Sequence, residues 1–175
     1  MRVLMINGSP RANGNTSIAL NEMKTVFEKE GVDAEIVRVG SEAVRGCTAC
    51  NRCAELGKCV FDDVVNELAA KFSDADGLVV ASPVYYASAN ATLIAVLDRL
   101  FYSTSYDKTM KVGASVVCAR RGGCSATFDE LNKYFISAIC RSRPAGTGIP
   151  SMGVNQERQQ RTRKVSRRCG RLREI

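Results

Sequence analysis

Four short apolar runs recur along the first 120 residues, separated by stretches with helical spacing. "RVLMI" (2–6) is apolar almost throughout and stops at Asn7-Gly8, and "AEIVRV" (34–39), "DGLVVASP" (76–83) and "KVGASVVCA" (111–119) follow it. Continuous apolar runs of this length predict strands buried on both faces. Between them, Ile18, Ala19, Met23, Val26 and Phe27 mark one face of a helix over 15–30, with Gly31 just past its end. "DDVVNELAAKF" (62–72) reads as a helix with acids at its positive end. "NATLIAVLDRLF" (90–101) is helical, and "SATFDELNKYF" (125–135) is a helix opened by Ser125 with Asp129 and Glu130 early in it. Strands alternating with helices predict an α/β fold, an open doubly wound parallel sheet covered on both faces.

A length of 175 residues with 45% apolar content suits one domain with a real core. The first apolar run is only four residues long, too short for a signal peptide or a membrane span. The expectation is a cytoplasmic protein without a membrane partner, whose thiols stay reduced. The net charge of +7 is unevenly spread: residues 1–140 carry 15 basic and 16 acidic side chains, residues 141–175 carry 10 and 2. The basic excess therefore belongs to one segment, and nucleic acid is not an expected partner, since that segment has no interleaved aromatics. The chain divides into a domain over 1–140 and an atypical basic tail over 141–175.

The turn after the first strand, "NGSPRANGNTS", is neither a nucleotide P-loop nor a dinucleotide fingerprint. It holds Ser9, Asn13, Gly14, Asn15, Thr16 and Ser17, with Arg11 as a fixed positive charge. Unpaired amides at the start of the next helix complete a site for a phosphate dianion. The same residues would also serve as a helix cap. A second feature is "CTACNRCAELGKC", in which Cys47, Cys50, Cys53 and Cys59 follow C-x2-C-x2-C-x5-C. Three thiolates can converge from such a loop, and Gly57 lets the chain fold back to bring in Cys59. The spacing is compatible with a [4Fe–4S] cluster, with reduced thiols holding no metal, or with zinc, which more often uses two separated cysteine pairs. Of the remaining cysteines, Cys118 reads as a small core residue. Cys124 is a small residue beside a loop and a lesser candidate redox sensor.

"NGSPRANGNTS", "ASPVYYASANATLIAVLDRL" and "ARRGGCSATFDELNKYF" together resemble the flavodoxin-like NADPH-dependent FMN reductase family, and the cysteine stretch narrows this to its iron–sulfur flavoprotein branch. The resemblance covers about residues 1–136. It implies a five-stranded parallel sheet in the order 2-1-3-4-5 with FMN at the carboxyl edge. The FMN phosphate would lie on Ser9, Arg11, Asn15, Thr16 and Ser17. The isoalloxazine would lie along Pro83, Val84, Tyr85 and Tyr86, with Arg120, Gly122 and Gly123 at the ring edge. Pro83 is expected to end its strand and free backbone groups for the flavin. Gly122 and Gly123 would allow close backbone approach. Tyr85 and Tyr86 would stack on the ring or pack against a partner subunit. Arg120 or Arg121 would stabilise negative charge on reduced flavin, or stay solvated.

The function implied is electron transfer from reduced nicotinamide, NAD(P)H, or ferredoxin through FMN to the cluster or to a small acceptor such as a quinone or nitro compound. The flavin carries the chemistry, and no catalytic acid is required, in keeping with a chain that has no histidine. A non-catalytic flavin electron carrier or interaction protein is the alternative. The resemblance also implies a homo-oligomer paired near the flavin. It calls for a fifth strand and a closing helix that the tail does not offer. Read one base out of register, permitted codons for 146–153 encode Tyr-Trp-Asn-Ser-Ile-His-Gly, which resembles the family's tail motif, and those for 160–175 encode an amphipathic helix. The chain beyond about Tyr134 is therefore expected to be out of frame, leaving the fourth strand as an exposed edge.

Overall fold

The computed structural model describes residues 1–138 and 141–142. Five parallel strands form one sheet in the order β2-β1-β3-β4-β5. They are β1 (Arg2–Asn7), β2 (Asp33–Arg38), β3 (Gly77–Pro83), β4 (Val112–Cys118) and β5 (Arg141–Ser142). The helices are α1 (Asn15–Lys29), α2 (Cys53–Leu56), α3 (Val64–Asp74), α4 (Ala91–Ser103) and α5 (Cys124–Ser137). The flavodoxin-like order expected from the sequence is the order found. The tail was expected to offer no fifth strand; a two-residue β5 is present and meets β4 only at Val112 and Gly113, leaving the rest of that edge of β4 without a strand partner among the described residues. The expected out-of-frame segment and absent closing helix fall almost wholly outside the described residues.

The pleat sorts the apolar runs onto two faces. Leu4 and Ile6 of β1 and Leu78 and Val80 of β3 face α3, α4 and α5, where Leu68, Phe72, Leu93, Leu97, Leu100, Leu131 and Phe135 complete the larger core. Val3, Met5, Val79 and Ala81 point the other way, onto Leu20 of α1. Among the described residues α1 alone covers that face, and Ala114 and Val116 of β4 stay half-buried.

Local chemistry sets most helix starts. Asp63 accepts from the Val65 amide and Asn90 from the Thr92 amide, capping α3 and α4. Ser125 does not open α5: Gly123 sits at the N-cap with φ +92°, a left-handed conformation glycine adopts without strain, and the helix starts one residue before Ser125. No helix among the described residues is long and apolar enough to cross a membrane.

Gly113 shows how tightly β4 meets α5, since a Cβ there would lie 2.5 Å from the Phe135 ring. Gly113→Ala is expected to destabilise the fold by about 1–3 kcal/mol through overpacking, read as a lower denaturation midpoint by circular dichroism.

Candidate functional site

The carboxyl ends of β1, β3 and β4 lie side by side, and the turns after them share one edge of the sheet. The first turn is ordered from below by Asn7, a buried residue absent from the expected set. Its Oδ1 accepts from the Ser9 amide at 2.9 Å and its Nδ2 donates to Ser17 Oγ at 2.9 Å. Ser9 Oγ accepts from the Arg11 amide, and Ser17 Oγ donates to the Arg11 carbonyl. Ser9 and Ser17 thus shape the turn expected to take the phosphate, their hydroxyls bonded to the Arg11 backbone. Gly40 closes the turn from behind: a Cβ there would stand 2.3 Å from the Gly8 carbonyl oxygen. Unlike α3 and α4, α1 has no side-chain cap. The Thr16 and Ser17 amides of its first turn are left to a ligand or water, with the exposed Arg11 beside them.

The second turn is a strained two-residue hairpin. Tyr85 and Ser88 exchange both backbone bonds, at 2.9 and 3.0 Å, around Tyr86 (φ 51°) and Ala87 (φ 62°). Two consecutive left-handed residues without glycine cost of order 1 kcal/mol or more each. The chain turns at Pro83, where β3 ends, as expected. The Val84 amide donates to the Cys118 carbonyl and the Tyr85 amide to Ser88. The open amides are those of Tyr86 and Ala87, one step further along. Tyr86 is fully exposed and Tyr85 half-exposed.

The third loop carries Arg120, Arg121 and Gly122, all exposed, and leads into Gly123. A Cβ on Gly123 would lie 2.8 Å from Ala87 Cα, so glycine is needed for the two loops to touch. Glu130 of α5 ties them together. Its carboxylate accepts from Ser88 Oγ at 2.9 Å and from the Ala89 amide at 2.8 Å. Like α1, α5 has no side-chain cap. Burial pushes the Cys124 thiol up, against the weak opposing effect of the Ala119 backbone, which does not suit a redox sensor. Cys118 is buried at the end of β4, as expected.

Cys47, Cys50, Cys53 and Cys59 come together at a second place, against the outer side of α4. All four line one small cavity of about 20 Å³, with Phe61, Arg99, Tyr102 and Ser103 on its wall. Ala49 (φ 52°) and Asn51 (φ 58°) bend the loop on either side of Cys50. The Arg52 amide holds the Cys50 thiol below its ordinary value. Asn66 clamps Cys59, accepting from its amide at 3.0 Å and donating to its carbonyl at 3.1 Å.

Arg99 lies at the centre, its side chain wholly buried. Nη1 donates to Asp63 Oδ2 at 2.6 Å and to the Arg45 carbonyl. Nη2 donates to Asp63 Oδ1 at 3.0 Å and to the Phe61 carbonyl. Nε donates to Cys59 Sγ at 3.2 Å. Burial works against the charge, but Asp63 and Cys59 outweigh it and keep the guanidinium above its ordinary range.

The NADPH-dependent FMN reductase family matches this chain over residues 1–146. The chain belongs to that family. Iron–sulfur flavoproteins from Methanocaldococcus jannaschii and Methanosarcina thermophila are each 33% identical to it, over 139 and 138 residues. Those matches cover 78% and 77% of this chain and 72% of each relative. A flavodoxin from the domain Archaea superposes with a TM-score of 0.61 at 12% identity, covering 99% of this chain and all of that one, and establishes the fold. Membership makes this chain an FMN flavoprotein of the oxidoreductase class.

The residues present fit that cofactor. The first turn leaves amides, Thr16 and a cation where a phosphate would lie, and two tied loops with open amides stand at the same edge. The cysteine cavity fits a thiolate-bound cluster in one further respect: Ser103 Oγ, buried on its wall, has no hydrogen-bond partner. Among the described residues no three His, Cys, Asp or Glu side chains are drawn onto one point as a single ion requires. The thiols surround a volume instead.

Asn7, Asn66, Arg99, Ser103 and Glu130 escaped the sequence reading. Only Arg99 had a local mark, a charge that with Asp98 interrupts the apolar positions Val96, Leu97 and Leu100 of one helix.

The clamp at Glu130 is testable. Glu130→Ala is expected to weaken FMN binding about tenfold, near the value of one hydrogen bond to a charged group, as read by flavin fluorescence titration. Wild-type affinity would show that the two loops hold their places without it.

Proposed function

We propose that this chain is an electron-transfer oxidoreductase that holds FMN at the carboxyl edge of its sheet and a [4Fe–4S] cluster on Cys47, Cys50, Cys53 and Cys59. The observation that carries the reading is the contrast among the helix starts. Of the four helices longer than one turn, α3 and α4 are capped by side chains at their N-caps, whereas α1 and α5, which open from the proposed flavin loops, are not; the one-turn α2 is uncapped as well. Uncapped amides beside a cation are an anion site.

Arg11, the α1 amides at Thr16 and Ser17, and the Thr16 hydroxyl would bind the phosphate, with Ser9, Ser17 and Asn7 holding the turn in shape. Pro83 and Val84 would support the ring, and the open amides of Tyr86 and Ala87 would meet its polar edge. Arg120 and the amides near Gly122 and Gly123 would face negative charge on that edge. Tyr85 and Tyr86 would exclude water, by covering the ring or by packing against a second copy of the chain in a homo-oligomer. Bound there, the flavin supplies hydride and single-electron chemistry. Reduced nicotinamide or ferredoxin is the proposed donor, and a small molecule such as a quinone is the proposed acceptor. At the second site the exposed 47–50 arm would open to admit a cluster, and its light packing permits that.

Removing the phosphate contacts tests the first site. Arg11→Ala with Thr16→Ala is expected to weaken FMN about a hundredfold, the sum of two charge-assisted bonds, with an unchanged far-ultraviolet spectrum. Unchanged affinity would sink the assignment. For the second site, anaerobic reconstitution should give about four iron atoms per chain and a paramagnetic signal on reduction. Protein without iron would refute the cluster, and stoichiometric zinc would replace it with a structural metal.

A further inference from the structure

We propose that Arg99 and Ser103, one turn apart on α4, are hydrogen-bond donors to the sulfur atoms of the group held by the four cysteines, and that they raise its reduction potential. This rests on the cluster proposed above. Both residues line the cysteine cavity. Four of the five guanidinium N–H groups of Arg99 go to Asp63 and to the carbonyls of Arg45 and Phe61, which fixes the side chain and leaves Nε directed at Cys59 Sγ, 3.2 Å away.

Ser103 is the more telling residue. It is 5% exposed, and its Oγ is the buried side-chain atom without a partner among the described residues. A helical hydroxyl of this kind normally returns to the carbonyl four residues back. The neighbouring Thr104 does so, donating to the Leu100 carbonyl at 2.7 Å, whereas Ser103 does not. A buried donor left unmade is costly, so the position makes sense when an acceptor fills the cavity. Thiolate and sulfide sulfurs offer acceptors only. They become more negative on reduction, so N–H and O–H donors favour the reduced state.

The test uses the full chain, reconstituted anaerobically, with iron analysis and a redox titration followed by paramagnetic resonance. Ser103→Ala is expected to bind full iron, to titrate at a lower potential than wild type, and to leave the apo-protein at least as stable as before, since it deletes an unpaired buried hydroxyl. Arg99→Gln is expected to lower the reduction equilibrium constant at least tenfold, ~59 mV for one electron, and Arg99→Lys, which keeps the charge, to fall between. Ser103→Ala with full iron and an unshifted potential would overturn the proposal while sparing the cluster. Wild-type protein without iron would overturn both. If Arg99→Gln fails to fold, Ser103→Ala alone decides.

Discussion

A buried guanidinium holds the helical layer of this protein to its cysteine loop. Arg99 has no side-chain exposure, and a charge so placed is tolerable only when paired and fully hydrogen-bonded. It meets that condition with groups drawn from Arg45, Cys59, Phe61 and Asp63, so nearly the whole crossing from β2 to α3 is pinned to α4. Phe61 is gripped further between Arg45 and Arg99, whose guanidinium carbons lie 5.2 and 5.1 Å from its ring centre. Removing one partner of such a pair costs about 3–5 kcal/mol. Asp63 also caps α3, so loop, helix start and buried charge form one cooperative unit.

The sheet edge follows the opposite principle. There the protein leaves its own groups unsatisfied or strained. Two helices begin without side-chain caps, and Tyr86 and Ala87 sit in left-handed conformations. Strain of this kind persists only where the surroundings over-determine it, and here Glu130 and the close fit of Gly123 against Ala87 do so. A cofactor that takes up the open amides would recover stability that the empty edge lacks.

The fold was legible because it is written in local period. Apolar runs alternating with amphipathic stretches fix strand and helix order, and a parallel sheet follows from strands buried on both faces. The polar first turn and the gathering of the four cysteines at one cavity were legible too, being contiguous in sequence. What escaped is non-local. Glu130 meets Ser88 across 42 positions and Arg99 meets Arg45 across 54, and no window of sequence displays such pairs. Ser9 and Ser17 were legible as members of the turn, but their bonds to the Arg11 backbone were not, since those bonds exist only once the turn is folded. Ser125 misled because capping propensity was read without the backbone, which gives the position to Gly123.

The cysteine cavity has an open side, and that has a practical consequence. Cys47 and Cys50 are exposed while Cys53 and Cys59 are half-covered. Sulfur oxidation depends on access, and Cys47 and Cys50 have it. In air an exposed thiol oxidised to sulfenic acid would be trapped by a neighbouring thiol as a disulfide. The loop would then be cross-linked by the thiols proposed to hold a cluster, and protein handled aerobically would give a misleading account of what the site holds.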